Sequence, residues 1–427
     1  MSGEKSKRPA RAGLFPVGGI FKKDAHSSRG RKKSVEPKPN PPIRITSQEL
    51  IPTPNLVEAR EGSVFGIQRE NLRRLVLDIV RRGVDQIKAE YESPKMFNRT
   101  ILLTKEAMDA NLQRCRYTDV QCWDETRVRL TIPPNNPNDF IHANYVRHHM
   151  LLNQFICTQG PLDSTVEDLW RLVWQERCCL ILMLCQCIEV RKIKAADYWP
   201  KVAGESKNFG PFTITTTDVD NSDPKISLTR MSLQYLGEMR LVEHRQLMDW
   251  PDKSVPRIAT DVLKLLAHPK SMPNNPTVVH CSAGAGRTGT LILIELVIRH
   301  LLVDRPQTVS IPNLLKVLRA QRSHSVQTED QYVFAHFAMV QYALLRKACT
   351  REEVSGFVRA YETYLSSIEQ SNKSKKRSSR RRPGPSDDEK SDKTPHAIAR
   401  KDSTRRRSNN PSAVGKKSNE SLKPKAS

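Results

Sequence analysis

One segment of the chain places a cysteine and an arginine at a spacing suited to phosphate chemistry. The segment reads His280-Cys281-Ser282-Ala283-Gly284-Ala285-Gly286-Arg287-Thr288-Gly289. The apolar run at 276–279 predicts a buried strand before it, and the run at 290–303 predicts a buried helix after it. At such a turn, backbone N–H groups and the helix dipole favour an anion and stabilise a thiolate, which is the nucleophilic form of cysteine. Arg287 can hold two phosphoryl oxygens. The segment therefore predicts a phosphatase with a cysteine nucleophile.

The same segment allows a second interpretation. Its glycines at 284, 286 and 289 match the G-x-G-x-x-G pattern of dinucleotide-binding proteins, which also opens a helix after a strand. That pattern requires an acidic residue at the end of the next strand, about 20 residues further on. Here the region continues as a predicted helix into the turn at 304–306. We therefore favour the phosphatase interpretation.

The pattern His-Cys-x-x-Gly-x-x-Arg-[Ser/Thr]-Gly resembles the signature of the cysteine-dependent, phosphotyrosine-specific protein tyrosine phosphatases. The resemblance extends over residues 62–348 and looks most like the single-domain, non-receptor members that are expanded in nematodes. It implies an α/β (α+β) fold in which a highly twisted mixed β-sheet is flanked by helices. It also implies hydrolysis of phosphotyrosine in proteins, with neither a cofactor nor a metal.

The resemblance implies roles for residues outside this loop. Asp252, in Trp250-Pro251-Asp252, would be the general acid on a mobile loop and would then activate water. Gln327 would orient that water with help from Gln331, and Thr328 with Gln331 also fits a helix capping box.

Substrate recognition is assigned in the same way. Tyr117 would stack on the substrate ring, and Asp119 would accept hydrogen bonds from the peptide backbone. Glu189 would pair with Arg287, and Lys194 with the closed acid loop. The phosphate would be bound by Ser282, Ala283, Gly284, Ala285, Gly286 and Arg287, with His280 and Thr288 in support.

Three residues depart from the family pattern near the site. Ala285 replaces a branched aliphatic residue, and Lys253 and Ser254 replace an aromatic or histidine and a glycine. These changes could loosen the packing under Cys281 and alter loop closure. A catalytically weak pseudo-phosphatase that binds phosphotyrosine therefore stays open as an alternative.

The positive charge of the chain lies mostly at its two ends. The 427 residues carry a net charge of +24, of which +8 falls in residues 1–60, +12 in 371–427 and +4 in between. We expect a disordered, proline-containing arm at 1–60 and a catalytic domain at 61–350. At 351–427 we expect the end of the last helix and then a disordered basic tail. The tails could bind a polyanion, either nucleic acid or an anionic membrane.

The cysteines and the apolar runs indicate the cellular setting. The nine cysteines are odd in number and several lie in apolar runs, which is typical of buried thiols in a reducing compartment. No run is long and apolar enough to span a bilayer. We expect a soluble monomer in the cytoplasm, with the nucleus as an alternative, whose partners are phosphotyrosine-containing proteins.

The remaining periodicity predicts the elements that position these residues. One or two helices are expected at 63–91, and further helices at 164–176, 256–267, 310–322 and 328–345. Strands are expected at 178–184 and within 114–159 and 208–246.

Overall fold

The structure is a computed structural model that describes residues 64–93, 102–251, 254–269 and 275–381. Its main feature is a nine-stranded sheet in the order β1-β2-β3-β11-β4-β10-β9-β8-β7. The strands of this sheet are β1 (Arg127–Arg129), β2 (Phe140–Val146), β3 (Phe155–Thr158), β4 (Leu180–Met183), β7 (Ser206–Phe209), β8 (Phe212–Asp220), β9 (Ile226–Tyr235), β10 (Glu238–Leu247) and β11 (Thr277–His280). A separate hairpin pairs β5 (Ile188–Glu189) with β6 (Lys192–Ile193).

The sheet is mixed, as the sequence predicts. Its centre is parallel, because β11 lies between β3 and β4 and runs parallel to both, and β10 runs parallel to β4. All other neighbours are antiparallel. The register places Thr158, Met183 and His280 side by side at the carboxyl ends of the central strands. Ligand sites of α/β sheets form at this edge, and the Cys281 loop begins there.

Helices flank the sheet. They are α1 (Val64–Glu92), α2 (Glu106–Asp109), α3 (Val166–Gln175), α4 (Thr260–Leu265), α5 (Gly286–Leu301), α6 (Ile311–Gln321), α7 (Glu329–Leu345) and α8 (Arg351–Arg381). Helix α7 contacts α1, α4 and α5, and its residues from Gln331 to Ala343 are all buried. A helix that is apolar on every side belongs inside a core, so α7 is the centre of the helical layer.

Helix α1 is interrupted by a kink at Gly83, where φ is +67°, so the segment predicted as one or two helices forms two. The bounds of two other helices differ from the expected ones. Helix α4 begins at Thr260, later than expected, because the chain at 254–258 is irregular. Helix α5 begins at Gly286, earlier than expected, although its first turn contains two glycines.

Close packing explains the glycines at the start of α5. A Cβ atom at Gly286 would lie 2.8 Å from Oε1 of Gln327, and one at Gly289 would lie 2.7 Å from the backbone of Ser325. The neighbour of Gly289 is backbone, so only glycine lets the helix approach Ser325 this closely, whereas the neighbour of Gly286 is the end of a side chain. Tertiary contacts therefore determine where α5 begins, in spite of the low helix propensity of glycine.

Helix α8 is a separate element that differs from the prediction. The sequence predicts only the end of a last helix beyond residue 350, whereas α8 starts anew at Arg351. Val354, Tyr361 and Leu365 join the hydrophobic core, and the Tyr361 ring stacks on Phe337 at 3.9 Å. The chain divides into two units after Ile368, and the second is described only as helix, as far as Arg381.

The predicted basic arm at 1–60 and the tail at 382–427 lie outside the described residues. All nine cysteines are described and free, six of them buried and three half-buried. Among the described residues, no helix has the length and apolar character needed to cross a membrane.

Candidate active site

The loop from Cys281 to Ala285 joins the end of β11 to the start of α5. Each of its carbonyl groups accepts a hydrogen bond from the surrounding scaffold. The carbonyl of Cys281 accepts from Nδ1 of His280 at 3.0 Å, and that of Ser282 from the Gly160 amide at 2.9 Å. The carbonyl of Ala285 accepts from the Gly289 amide at 2.7 Å.

Arg322 binds the two remaining carbonyls from below. This side chain is fully buried, and it donates to the oxygens of Gly284 and Ala283, both at 2.9 Å. Its other contacts are Oδ1 of Asn144 at 2.7 Å and Nδ1 of His142 at 3.2 Å. With every carbonyl turned into the scaffold, the amides of residues 282–286 have no acceptor within the described chain. They form a concave set of donors of the kind that binds an anion.

Gly284 makes this loop conformation possible. Its φ is +65°, and a Cβ atom there would lie 1.9 Å from the carbonyl oxygen of Thr158 at the end of β3. Both the dihedral angle and the space exclude any other residue. The loop is therefore wedged against the carboxyl edge of the sheet.

Arg287 lies in the first turn of α5, where it is 3% exposed. Two of its nitrogens bind the two carboxylate oxygens of Glu189, at 2.6 and 2.7 Å, and one also donates to the Leu184 carbonyl at 2.9 Å. Burial acts to lower the pKa of Arg287, but the bonds to Glu189 outweigh it, so the pKa is raised above its usual value. The guanidinium is thus a permanent, fixed cation beside the loop.

A cavity of about 320 Å³ opens above the loop. Its lining comes from the predicted recognition segment at 117–120, the loop at 281–285 (called the catalytic loop below), the residue after β6, the first turn of α5 and the start of α7. The lining residues are Tyr117, Asp119, Val120, Lys194, Cys281, Ser282, Ala283, Arg287, Gln327, Thr328 and Gln331. Cys281 is 4% exposed. The structure therefore brings together in one cavity the predicted nucleophile, the arginine, the recognition residues and both glutamines.

Tyr117 stands at the wall of this cavity. Its hydroxyl lies 2.9 Å from Oγ of Ser282, and that Oγ donates to the Lys194 carbonyl at 3.2 Å. Because the single proton of Ser282 is used on Lys194, the Tyr117 hydroxyl is the donor in the first bond. The ring is thereby fixed relative to the catalytic loop.

Hydrogen bonds from backbone amides to side chains of the same segment hold residues 327–331 in place. Thr328 caps α7 by accepting from the Gln331 amide at 3.2 Å, which is half of the expected capping box. The Gln331 side chain does not reach back to Thr328 but accepts from the Gln327 amide at 2.8 Å. One glutamine therefore positions the backbone of the other.

Only the flanks of the predicted acid loop can be placed, because Asp252 and Lys253 lie outside the described residues. Trp250 is buried, donates from Nε1 to the Ser254 carbonyl at 3.1 Å, and packs edge-on against Phe334. These contacts fix the two ends of the loop that carries Asp252.

The remaining predicted residues surround the loop. His280 is fully buried behind it, and burial lowers the pKa of its imidazole to about 4. Thr288 is fully buried in the first turn of α5, and its hydroxyl has no partner among the described residues. Ala285, the departure from the family pattern, is also fully buried.

The family follows from comparison with known proteins. A family model described as protein-tyrosine phosphatase matches residues 111–341, which is more than half of the chain. The chain belongs to the protein-tyrosine phosphatase family.

Curated relatives show similarity to this phosphatase domain. The receptor-type tyrosine-protein phosphatase F of Bos taurus is 36% identical over 242 residues, which cover 56% of this chain. A Lar-like tyrosine-protein phosphatase of Caenorhabditis elegans is 37% identical over 238 residues, 54% of the chain. The chain spans only 12% and 11% of the lengths of these two relatives.

Solved structures match over more of their length. The catalytic domain of human protein tyrosine phosphatase non-receptor type 18 is 30% identical, with a TM-score of 0.55, and the match covers 65% of this chain and 99% of that one. The same phosphatase in complex with HER2 phosphopeptides is 31% identical, with a TM-score of 0.53, and covers 60% and 96%.

Three residues of this phosphatase site were missed in the sequence. Arg322 follows a polar helix end and looks like a solvated charge, while His244 and Tyr198 lie in unremarkable strand and loop segments. All three are fully buried behind the catalytic loop. Their positions depend on contacts between distant segments, and no local pattern signals them.

Proposed function

We propose that this protein hydrolyses phosphotyrosine in proteins through a phosphocysteine intermediate on Cys281. One observation carries the proposal: all five carbonyls from Cys281 to Ala285 are bound by the scaffold, so the loop offers amides to an anion beside the sulfur. Arg287, fixed by Glu189, lines the same cavity. This combination is suited to stabilising a phosphoryl group during transfer.

In the first step, Sγ of Cys281 attacks phosphorus. A P–S bond forms while the bond from phosphorus to the tyrosine oxygen breaks, and Asp252 gives its proton to the leaving oxygen. The loop amides and Arg287 stabilise the equatorial oxygens throughout.

In the second step, water attacks the phosphocysteine. The P–S bond breaks, the thiolate of Cys281 is restored, and the Asp252 carboxylate takes the proton of the water. Gln327 lines the cavity and orients this water, and its backbone is held by the Gln331 side chain.

The shape of the cavity supports tyrosine as the substrate residue. A volume of about 320 Å³ accommodates a phenyl phosphate group, and the fixed Tyr117 ring offers it a stacking surface. Asp119 is exposed at the rim, where it can accept hydrogen bonds from the amides of a bound peptide. The side chain of phosphoserine is too short to bring its phosphorus atom within reach of Sγ of Cys281.

The direct test compares turnover of para-nitrophenyl phosphate and of matched phosphotyrosine and phosphoserine peptides. We expect hydrolysis of the first two substrates only, and a fall to background in Cys281→Ser. Cys179→Ser is the matched control, because Cys179 is a half-buried cysteine that forms no disulfide and does not line the cavity, and this variant should keep full turnover. Equal turnover of both peptides would exclude tyrosine selectivity.

A second test concerns Asp252. Replacement by alanine should lower turnover by roughly 10²- to 10⁴-fold, the usual contribution of a general acid. Binding of phosphotyrosine peptides should persist, because Arg287 and Tyr117 remain. Full activity of Asp252→Ala on a substrate with a poor leaving group would show that another group supplies the proton. A wild-type protein that binds phosphopeptides without turnover would be a pseudo-phosphatase.

Binding of a polyanion by the basic tails and a cytoplasmic or nuclear location stay predictions. Removing residues 382–427 should abolish binding to heparin while leaving turnover of a small substrate unchanged. Loss of turnover in the truncated protein would give the tail a role in catalysis.

A further inference from the structure

Three buried side chains form a hydrogen-bonded chain behind the catalytic loop. The hydroxyl of Tyr198 lies 2.7 Å from Nε2 of His280 and 2.7 Å from Nε2 of His244. His280 ends β11 and His244 lies on β10, with β4 between these two strands. Tyr198 therefore links β11 to β10, which are not neighbours in the sheet, across the intervening strand β4.

The positions of the protons follow from the acceptors. Nδ1 of His280 lies 3.0 Å from the Cys281 carbonyl, which can only accept, so Nδ1 carries a proton. Burial lowers the pKa of His280 to about 4, so the ring is neutral and Nε2 has a lone pair. Tyr198 must then donate its only proton to Nε2 of His280.

The tautomer of His244 follows from that of His280. Once the Tyr198 proton points to His280, its oxygen can only accept from Nε2 of His244, which must carry the proton. Burial, the neighbouring His280 and Lys201 lower the pKa of His244 well below its usual value, so this ring is neutral as well. Every donor in the chain therefore points from His244 toward Cys281.

We propose that His244 is a positioning residue for the nucleophile: its Nε2–H orients the Tyr198 hydroxyl, which in turn holds His280 Nδ1–H on the Cys281 carbonyl. This inference rests on the proposed function of the site and extends it to strand β10. Aligned hydrogen bonds strengthen one another in a buried network, and the last donor, Nδ1–H of His280, ends on the backbone carbonyl of the residue that carries the sulfur. Without His244, the Tyr198 hydroxyl can turn to its third neighbour, Sδ of Met183 at 3.7 Å.

Few charged groups act on the three hydrogen-bonded residues His244, Tyr198 and His280. Lys201, whose Nζ lies over the Trp199 ring, acts on His244, and Arg116 acts on His280. Cys185 and Cys187 are the titratable groups near Tyr198, whose pKa burial raises. All three members thus keep their protonation state across the working pH range, so the chain orients groups and does not shuttle protons.

The test uses two substitutions with opposite expectations. His244→Gln can place an amide N–H near the position of Nε2, whereas His244→Phe keeps the ring and removes the donor. We measure alkylation of Cys281 by iodoacetate against pH. In His244→Phe the midpoint should move up by about one pH unit, from the loss of one buried hydrogen bond, and in His244→Gln by about a third of that. His336→Phe, which removes another fully buried histidine, should leave the midpoint unchanged.

Turnover supplies a readout that general damage would not reproduce. The kcat/KM of His244→Phe should fall most at low pH and approach the wild-type value at high pH, where the thiolate forms in any case. Equal alkylation midpoints in wild type and His244→Phe, or equal shifts in the Phe and Gln variants, would overturn the proposal.

The wild-type protein allows a test that needs no variant. Histidine ¹⁵N correlation spectra should show the Nε2–H tautomer at His244 and the Nδ1–H tautomer at His280. The opposite tautomer at either residue would overturn the proposal. These spectra do not depend on turnover, so failure of the phosphatase proposal and failure of the positioning role are distinguished.

Discussion

Arg287, the proposed phosphate ligand, is fixed in place chiefly by Glu189. The two bonds of 2.6 and 2.7 Å use two of its nitrogens and orient the guanidinium plane toward the cavity. The hairpin that carries Glu189 is therefore part of the site, although only two residues of each strand pair. A single ion pair joins the nucleophile's loop to a distant segment of the chain.

Glu189→Gln tests this ion pair at the scale of one residue. The amide keeps the shape of the side chain but loses the charge and one acceptor oxygen, at a cost of about 1.5–3 kcal/mol for hydrogen bonds to a charged group. We expect kcat/KM to fall by about 10- to 100-fold and inhibition by vanadate to weaken in parallel. Glu238→Gln, an exposed carboxylate on β10, is the control. Unchanged vanadate inhibition in Glu189→Gln would show that Arg287 holds its position unaided.

At the scale of elements, the site is assembled where the central strands end. Thr158, Met183 and His280 lie side by side there, and the loop after β11 is wedged against the end of β3. Arg322, just beyond the end of α6, closes the underside of the loop. The catalytic loop therefore depends on a tight fit among β3, α5 and the end of α6.

Gly284→Ala tests that fit. The new Cβ would collide with the Thr158 carbonyl, and φ of +65° would add roughly 1–2 kcal/mol of strain. We expect turnover and phosphate binding to be lost even if the protein folds. The matched control is Gly237→Ala in the β9–β10 turn, where φ is +81° and nothing lies within 4 Å of the added Cβ. The control should lose only the strain energy in an unfolding experiment and keep full activity. Equal activity of both variants would mean that the loop can move away from β3.

The sequence predicts the residues of this site that belong to a local turn, but not those whose positions depend on contacts with distant segments. Cys281 and Arg287 are set by a local turn, whose spacing is visible in the chain, and the same holds for the apolar strands and for α7. Arg322 and His244 act through contacts with segments distant along the chain, so no spacing reveals them. Helix α8 was missed because its apolar residues are interspersed with charges at the border of a basic segment. The apolar run that predicts α5 begins only at Thr290, because the first turn of the helix contains glycines that pack closely against neighbouring segments.

At the scale of the whole molecule, the core contains neutral histidines from several elements. His142 on β2, His244 on β10, His280 on β11 and His336 on α7 are all fully buried. Burial lowers the pKa to about 3 for His142, about 4 for His280 and about 3 for His336, and well below 6.5 for His244. Folding therefore excludes protons from four side chains at once.

This arrangement predicts an acid-sensitive fold. Below pH 6.5 the unfolded chain takes up a proton at each histidine, whereas the folded chain does so only near pH 4 at His280 and near pH 3 at His142 and His336. The stabilisation is thus complete above pH 6.5 and is lost progressively as the pH falls from 6.5 toward the lowered pKa values of the folded state. At pH 5.5 the loss should be roughly 1.4 kcal/mol for each of His142, His280 and His336, or about 4 kcal/mol for the three together.

Urea unfolding at pH 7.5 and pH 5.5 measures this loss. We expect a much lower midpoint at pH 5.5, and a smaller pH dependence in His336→Phe, which has one titrating histidine fewer. A midpoint that does not change between the two pH values would show that the buried histidines take up protons in the folded state.

The central claim is that Cys281 carries the phosphoryl group during turnover. Acid quenching during hydrolysis of para-nitrophenyl phosphate, followed by mass spectrometry of peptides, tests this claim most directly. We predict that the peptide containing Cys281 gains the mass of one phosphoryl group, more strongly in Gln327→Ala, where hydrolysis of the intermediate is slowed. The gain should be absent in Cys281→Ser and present in Cys179→Ser. Turnover without a phosphorylated Cys281 peptide, or with the phosphoryl group on another residue, would contradict the account.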